Sequence, residues 1–205
     1  MSTMGYVEYE CPLCGKNFSY MAQFSYTTFG RNLDFKPYGA ARIPTPIPKC
    51  PNCNLVFSRD IFSEEEINKL KLFLKENNIF EIDKNMPNYY YLAKEFELLD
   101  KNIETIIFYY ISAIWENCDK NKFETIANVV FHYFSKIAET DENYYIYKLM
   151  KLDFLRRLGK FDDAVDIIEI LKKDKIFPHK KFNKMLDIQS KLIRSKDTEE
   201  YQMPE

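Results

Sequence analysis

Four of the five cysteines stand in two copies of one short turn. Cys11-Pro12-Leu13-Cys14-Gly15 is followed by Phe18, and Cys50-Pro51-Asn52-Cys53-Asn54 is followed by Phe57. A Cys-x-x-Cys turn aims two thiolates at one point, so two such turns offer four sulfurs at about 2.3 Å from one zinc ion in a closed tetrahedron. Such a cage has no open catalytic position. Pro at the second place of each turn pre-sets φ, and Gly15 accepts the positive φ needed where the chain leaves the metal. Asn54, the next most tolerant residue type, holds the equivalent place. The predicted ligands are therefore Cys11, Cys14, Cys50 and Cys53. Zinc is the expected metal and iron its rival, because a rubredoxin holds its single iron with the same ligand set.

Other chemistries fit less well. Two matched turns with aromatic companions and no surrounding βαβ pattern argue against a thioredoxin-type redox pair. A disulfide framework needs an oxidising compartment, and residues 1–10 show neither a basic segment nor an apolar stretch that would direct the chain there. The expected location is the cytoplasm. His132, beside Phe131 and Tyr133, reads as a core or groove residue, His179 as an exposed helix-start residue, and Cys118 as a buried, inert thiol. The acidic runs Glu64-Glu65-Glu66 and Asp162-Asp163 suit the first turns of helices, where the backbone dipole favours negative charge. With no Gly-rich phosphate loop and no hydrolase elbow, the chain is not expected to be an enzyme.

The elements that must position this centre follow from composition and periodicity. The chain has 205 residues, 46% of them hydrophobic, with 15 Tyr, 17 Phe and only 5 Gly, which is enough apolar surface for a dense and mainly helical body. Net charge is −2, so nothing draws the molecule as a whole to nucleic acid or anionic lipid. The longest apolar run, 106–115, is too short to span a bilayer. Up to Phe62 there are six basic and four acidic residues, and four thiolates around one divalent ion offset that small excess.

Phe18, Tyr20, Ala22, Phe24, Tyr26 and Thr28 alternate with Ser19, Met21, Gln23, Ser25 and Thr27, the period of a strand with one apolar face. These aromatics are expected to form the small core of the ribbon. As a stacking platform for single-stranded nucleic acid they lack interleaved cations, since no Lys or Arg lies between Lys16 and Arg31. Residues 31–39 read as a loop in which Arg31 and Asp34 are either a buried pair that fixes the insertion or, the favoured reading, solvated charges. The proline-rich run 43–48 reads as extended chain returning along an edge. Thirty-five residues separate Cys14 from Cys50, a long insertion for a minimal ribbon.

Ser63-Glu64-Glu65-Glu66 is a capping box that opens a helix bearing Ile67, Leu70, Phe73 and Leu74, with Asn77-Asn78 ending it. A further helix is expected over about 88–99. Beyond it, Lys122-Phe123-Glu124-Thr125-Ile126-Ala127 matches Lys160-Phe161-Asp162-Asp163-Ala164-Val165 at an offset of 38, and Ile106-Ile107-Phe108-Tyr109 matches Tyr144-Tyr145-Ile146-Tyr147 at the same offset. Each unit is a helix, a tight turn and a second helix, a period that signals a helical solenoid. Leu155 to Val165 resembles the tetratricopeptide turn, although Lys148 and Lys151 depart from its first-helix pattern. A last helix after Phe177-Pro178, with Phe182, Met185, Leu186 and Ile193 inward, would cap the stack.

The expected architecture is mainly α with a small β zinc ribbon: a rubredoxin-like metal module over 1–62, a tetratricopeptide-like solenoid over 63–195, and a flexible tail over 196–205. With Cys11-Pro12-Leu13-Cys14-Gly15, Asp34-Phe35-Lys36-Pro37-Tyr38 and Cys50-Pro51-Asn52-Cys53 in place, the chain resembles a bacterial family, the domain of unknown function 2225. It departs from that family at Asn54-Leu55 and over residues 43–48. The resemblance implies a zinc-ribbon-like beginning before tetratricopeptide-like helices, and no assigned activity. The function expected is a non-enzymatic interaction module whose groove takes a peptide or protein, with Tyr109, Tyr110, Tyr144, Tyr145 and Tyr147 as candidate groove residues. The alternatives are iron-based electron transfer and, against the charge balance, nucleic-acid binding by the ribbon.

Overall fold

The computed structural model describes residues 2–40, 44–57, 62–76, 85–116 and 118–203. The predicted turn at Asn77-Asn78 lies outside them, as do the side chains of Leu74 and His179. Among the described residues the protein is mainly helical, with seven helices and two small antiparallel sheets. It forms two compact units: Met1–Thr27 with Ala40–Val130, and Thr28–Gly39 with Phe131–Glu205. The boundary expected at residue 62 therefore falls inside the first unit.

In the first unit, β1 (Thr3–Glu10) pairs with β2 (Asn17–Ser25) across the first cysteine turn. Val7 and Tyr9 face Tyr20 and Phe18 on the packed side, where Tyr9, Phe18 and Phe57 meet with ring centroids 5.9 to 6.3 Å apart. The alternation expected in β2 holds as far as Ala22 and then breaks. Thr3 faces Ser25 while Met4 faces Gln23, so Phe24 is the extra residue of a bulge, and its ring lies over Gly5. Phe24 and Tyr26 are exposed, not core: they lie at the far end of the two strands, where the residue facing the Phe24 ring is Gly5, which has no side chain to pack on it.

The predicted capping box opens α1 (Glu64–Glu76): the Ser63 amide donates to Glu66 Oε2 at 2.9 Å and the Glu66 amide to Ser63 Oγ at 3.3 Å. Helix α2 (Asn88–Leu98) buries Tyr89 to Ala93, Glu95 and Phe96, and packs on α3 (Ile103–Trp115). Asn102 caps α3 by accepting from the amides of Glu104 and Thr105. Helix α4 (Lys120–Phe134) carries buried Phe123, Ile126, Ala127 and Val130.

In the second unit, residues 28–39 form a hairpin where a loop was expected from Arg31 onward. β3 (Thr28–Arg31) pairs antiparallel with β4 (Pro37–Gly39), and Phe35, at φ 64°, sits in the turn between them with its ring 6.2 Å from that of Phe182. Helix α5 (Tyr144–Arg157) packs on α6 (Phe161–Lys173) and α7 (His179–Arg194), and these two on each other. Between α5 and α6, Gly159 takes φ 76° while its amide donates to the Arg156 carbonyl and that of Lys160 to the Leu155 carbonyl, a Schellman turn.

The core of this unit holds a charged cluster. Arg156, fully buried, donates from Nε to Gln189 Oε1 (2.9 Å), from Nη2 to Asp153 Oδ1 (2.8 Å) and from Nη1 to the Asp197 carbonyl (2.8 Å). Asp34 is buried and pairs with Arg157 at 3.1 Å, which corrects the expectation of a solvated Asp34. Its sequence neighbour Arg31 stays exposed. The segment expected to fray is held through Met203: the Leu33 amide donates to the Tyr201 carbonyl and the Met203 amide to the Arg31 carbonyl, each at 2.8 Å.

Candidate metal centre

Each cysteine turn is fixed by its own backbone before any metal is considered. In the first, the Gly15 amide donates to the Cys11 carbonyl (2.8 Å) and the Cys11 amide to the Lys16 carbonyl (2.9 Å). In the second, the Asn54 amide donates to the Cys50 carbonyl (3.0 Å) and the Cys50 amide to the Leu55 carbonyl (2.9 Å). Gly15 and Asn54 adopt φ 69° and 61°, the left-handed conformation expected of both. The flanking pairs also correspond: Glu10 faces Asn17 across the first turn and Lys49 faces Val56 across the second. The two knuckles are thus one structure made twice, the first extended into long strands and the second into a single bridge.

The knuckles bring all four predicted sulfurs together, within 4.8 Å of one another. Cys11 and Cys53 Sγ are 3.5 Å apart, and Cys14 and Cys50 Sγ 3.6 Å. A tetrahedron with metal–sulfur bonds of about 2.3 Å has edges of about 3.8 Å, whereas a disulfide bond is about 2.05 Å. The spacing fits a metal cage, and all five cysteines are free thiols. The same cage suits zinc and iron alike.

Burial divides the four thiols. Burial pushes Cys11 up to about 11, against the opposing pull of the Cys14 and Leu13 amides. Cys53 is raised further by the same cause, only partly offset by the Leu55 amide. At exposed Cys14 the burial effect, the largest single cause, is outweighed by the sum of Asn52, the Lys16 amide and the neighbouring thiols, which take it down to about 6. The Asn52 amide also approaches Cys50 Sγ at 3.4 Å. Backbone N–H groups aimed at sulfur stabilise thiolates and orient them, as outer partners of a metal site do. Entry of a cation must expel the protons that Cys11 and Cys53 hold, so affinity rises with pH.

The centre is anchored to helices. Cys11, Cys50, Leu55 and Phe57 form one apolar cluster with Ile67 and Leu70 of α1, and Leu98 and Leu99 at the end of α2 pack against it. Behind the second knuckle the Val56 amide donates to Glu95 Oε1 at 3.1 Å. Glu95 is wholly buried, which drives its carboxyl well above the usual range against the pull of the Val56 amide and Lys49, and its Oε2 has no hydrogen-bond partner among the described residues. Lys49 Nζ lies 4.2 Å from the centre of the Tyr91 ring, and burial lowers its pKa. Sequence reasoning singled out neither Glu95 nor Lys49. A lone Glu inside the apolar run from Tyr89 to Phe96 was the available signal.

The remaining candidates are dispersed. Tyr110 is core, fully buried with Oη donating to Glu97 Oε1 at 2.7 Å. Tyr109 is half-buried with its ring 4.8 Å from that of Phe96. Tyr144, Tyr145 and Tyr147 are half-buried on α5; Tyr145 Oη donates to Asp174 at 2.9 Å, Tyr144 Oη to Glu139 at 3.2 Å, and Tyr147 stacks on Phe134 at 4.9 Å. His132, expected in the core or a groove, is exposed. Cys118, half-buried, donates to the Ala113 carbonyl at 3.0 Å. No helix among the described residues is long and apolar enough to cross a membrane. No family model, curated protein or solved structure matches this chain.

Proposed function

We propose that the chain is a non-enzymatic interaction module in which Cys11, Cys14, Cys50 and Cys53 hold one zinc ion as a structural staple. The observation that carries this reading is the closed four-thiolate cage set into the apolar cluster of α1. A closed cage has no place for substrate, and its burial against a helix turns metal binding into folding energy. Free thiols support a reducing compartment such as the cytoplasm. The 38-residue offset of the sequence repeat, and the packing of α5 on α6 across the Gly159 turn with Ala164 buried, support a tetratricopeptide-like scaffold for a protein or peptide. The groove candidates are the half-buried Tyr109 of α3 and Tyr144, Tyr145 and Tyr147 of α5. The resemblance to the domain of unknown function 2225 belongs to the same reading.

A second reading, a rubredoxin-like iron centre for electron transfer, is favoured by one observation: Cys14 is exposed while its partners are sheltered, which gives the centre an outlet to solvent. Elemental analysis with a visible spectrum, on protein purified without added metal, separates the two. About one zinc per chain and no colour are expected. Iron with a chromophore that bleaches on reduction would replace the first reading by the second. Binding of nucleic acid by the ribbon has less support, because Glu8 and Glu10 share the exposed face of β1 with Tyr6.

A further inference from the structure

The strand β3 is paired with β4 along one edge, and the chain continues that edge through Arg31, Asn32 and Leu33. The Asn32 amide turns toward β4 and donates to the Lys36 carbonyl at 2.8 Å. Strand geometry then directs the Arg31 carbonyl and the Leu33 amide to the opposite side. That side is taken by residues 201–203 as a short antiparallel addition. The Leu33 amide donates to the Tyr201 carbonyl, the Met203 amide to the Arg31 carbonyl, and Asn32 faces Gln202.

Side chains read this strap as a ligand is read. The Glu200 carboxylate accepts from Asn32 Nδ2 and lies 3.7 Å from Arg157 Nη2 and 3.9 Å from Lys36 Nζ. The Arg156 guanidinium sits 5.8 Å from the centre of the Tyr201 ring and donates to the Asp197 carbonyl. Meanwhile the receiving groups are fixed by partners outside the strap. Asp153 and Gln189 hold Arg156 and each other, and Asp34 and Asp153 hold Arg157 at 3.1 and 3.8 Å. A cationic edge pre-set in this way spares a bound strand part of the ordering penalty.

The strap itself contributes little to the core. Tyr201 is 37% exposed, and Glu199, Glu200 and Gln202 are exposed. Its attachments are backbone hydrogen bonds and an acidic side chain on a basic site, the two components by which a sheet edge recognises an extended peptide. We propose that the β3 edge is a docking site for an extended acidic segment of a partner protein with the pattern Glu-Tyr-x-Met, and that residues 197–203 occupy it as a resident competitor. The segment is displaced rather than melted with the unit, because Asp153 and Gln189 keep hold of Arg156, which gives up only the bond from Nη1 to the Asp197 carbonyl. This site is independent of the helical groove proposed above.

The test uses the full chain and a fluorescent peptide of residues 198–203, followed by anisotropy. Met203→Pro removes the amide that donates to Arg31 and leaves the charged cluster intact. Wild type is expected to bind the peptide weakly, since a tethered strap competes at an effective concentration on the order of millimolar. The variant should bind roughly fivefold tighter, the effect of one lost hydrogen bond of about 1 kcal/mol. Replacing the peptide's Glu200 by Gln, or introducing Arg157→Gln into the variant, should weaken binding several-fold. If Met203→Pro alters the circular dichroism spectrum, Glu200→Gln in the full chain serves as the releasing variant. Equal peptide binding by wild type and the releasing variant overturns the proposal. So does binding indifferent to Glu200 and Arg157, or a variant that dimerises by exchanging its strap and ignores the peptide.

Discussion

At the scale of single residues, chemistry is set by what each side chain has lost in solvent and regained in partners. Substitution of Cys11, Cys14, Cys50 or Cys53 by Ser is expected to reduce bound metal from about one ion per chain to near none, since a cage that lacks one thiolate is no longer closed. Cys118→Ser, remote in role and bonded to the Ala113 carbonyl, should leave the metal content unchanged; release of zinc to a colorimetric chelator measures both. Glu95 presents a different case. Burial favours its neutral form, so its contribution to stability is full below the ordinary value of 4.5 and is lost as pH rises through the elevated folded value. Glu95→Gln keeps an acceptor for the Val56 amide and cannot ionise, so its melting temperature should fall less than that of wild type as pH rises above 4.5. Glu95→Ala leaves that amide unsatisfied and should cost about 1–3 kcal/mol in denaturant titrations.

At the scale of elements, ends and turns were the most legible part of the chain, because their rules are local. The knuckles, the capping box at Ser63 and Glu66, and the starts of α2 and α7 follow from residue types a few positions apart. Two substitutions probe these devices. Asn102→Ala removes the acceptor for two first-turn amides of α3 and should cost about 1 kcal/mol. Gly159→Ala should cost a similar ~1 kcal/mol through its positive φ alone, since an added Cβ there meets no atom within 4 Å. Chemical denaturation checks both. Strands were less legible. The period of two ran through Phe24 and Tyr26 without a break, whereas the bulge at Phe24 is fixed by pairing with β1, whose own alternation from Gly5 to Tyr9 is too short to announce it. Residues 31–39 read as a loop, and nothing nearby in sequence reveals that Asp34 has a partner in Arg157.

At the scale of the whole molecule, the chain divides its affinities in a way no local pattern encodes. Asp34 meets Arg157 across 123 positions and Asn32 meets Glu200 across 168. All four cysteines of the candidate metal site belong to the first compact unit. A strong chelator is therefore expected to lower the melting temperature of that unit and to leave a transition for the second one, seen as two resolved steps in calorimetry where chelator is present. The insertion between the knuckles has a further consequence, for synthesis of the chain. Asp34 and Phe35 leave the ribosome early, but the helices and strap that bury them are translated more than a hundred residues later. At roughly 5–20 residues per second, the 168 positions from Asn32 to Glu200 take roughly ten to thirty seconds to translate. During that interval a carboxylate and an aromatic ring destined for the interior wait in solvent, while all four cysteines of the candidate metal site are already translated. The nascent chain should thus acquire its metal well before it can close its second unit.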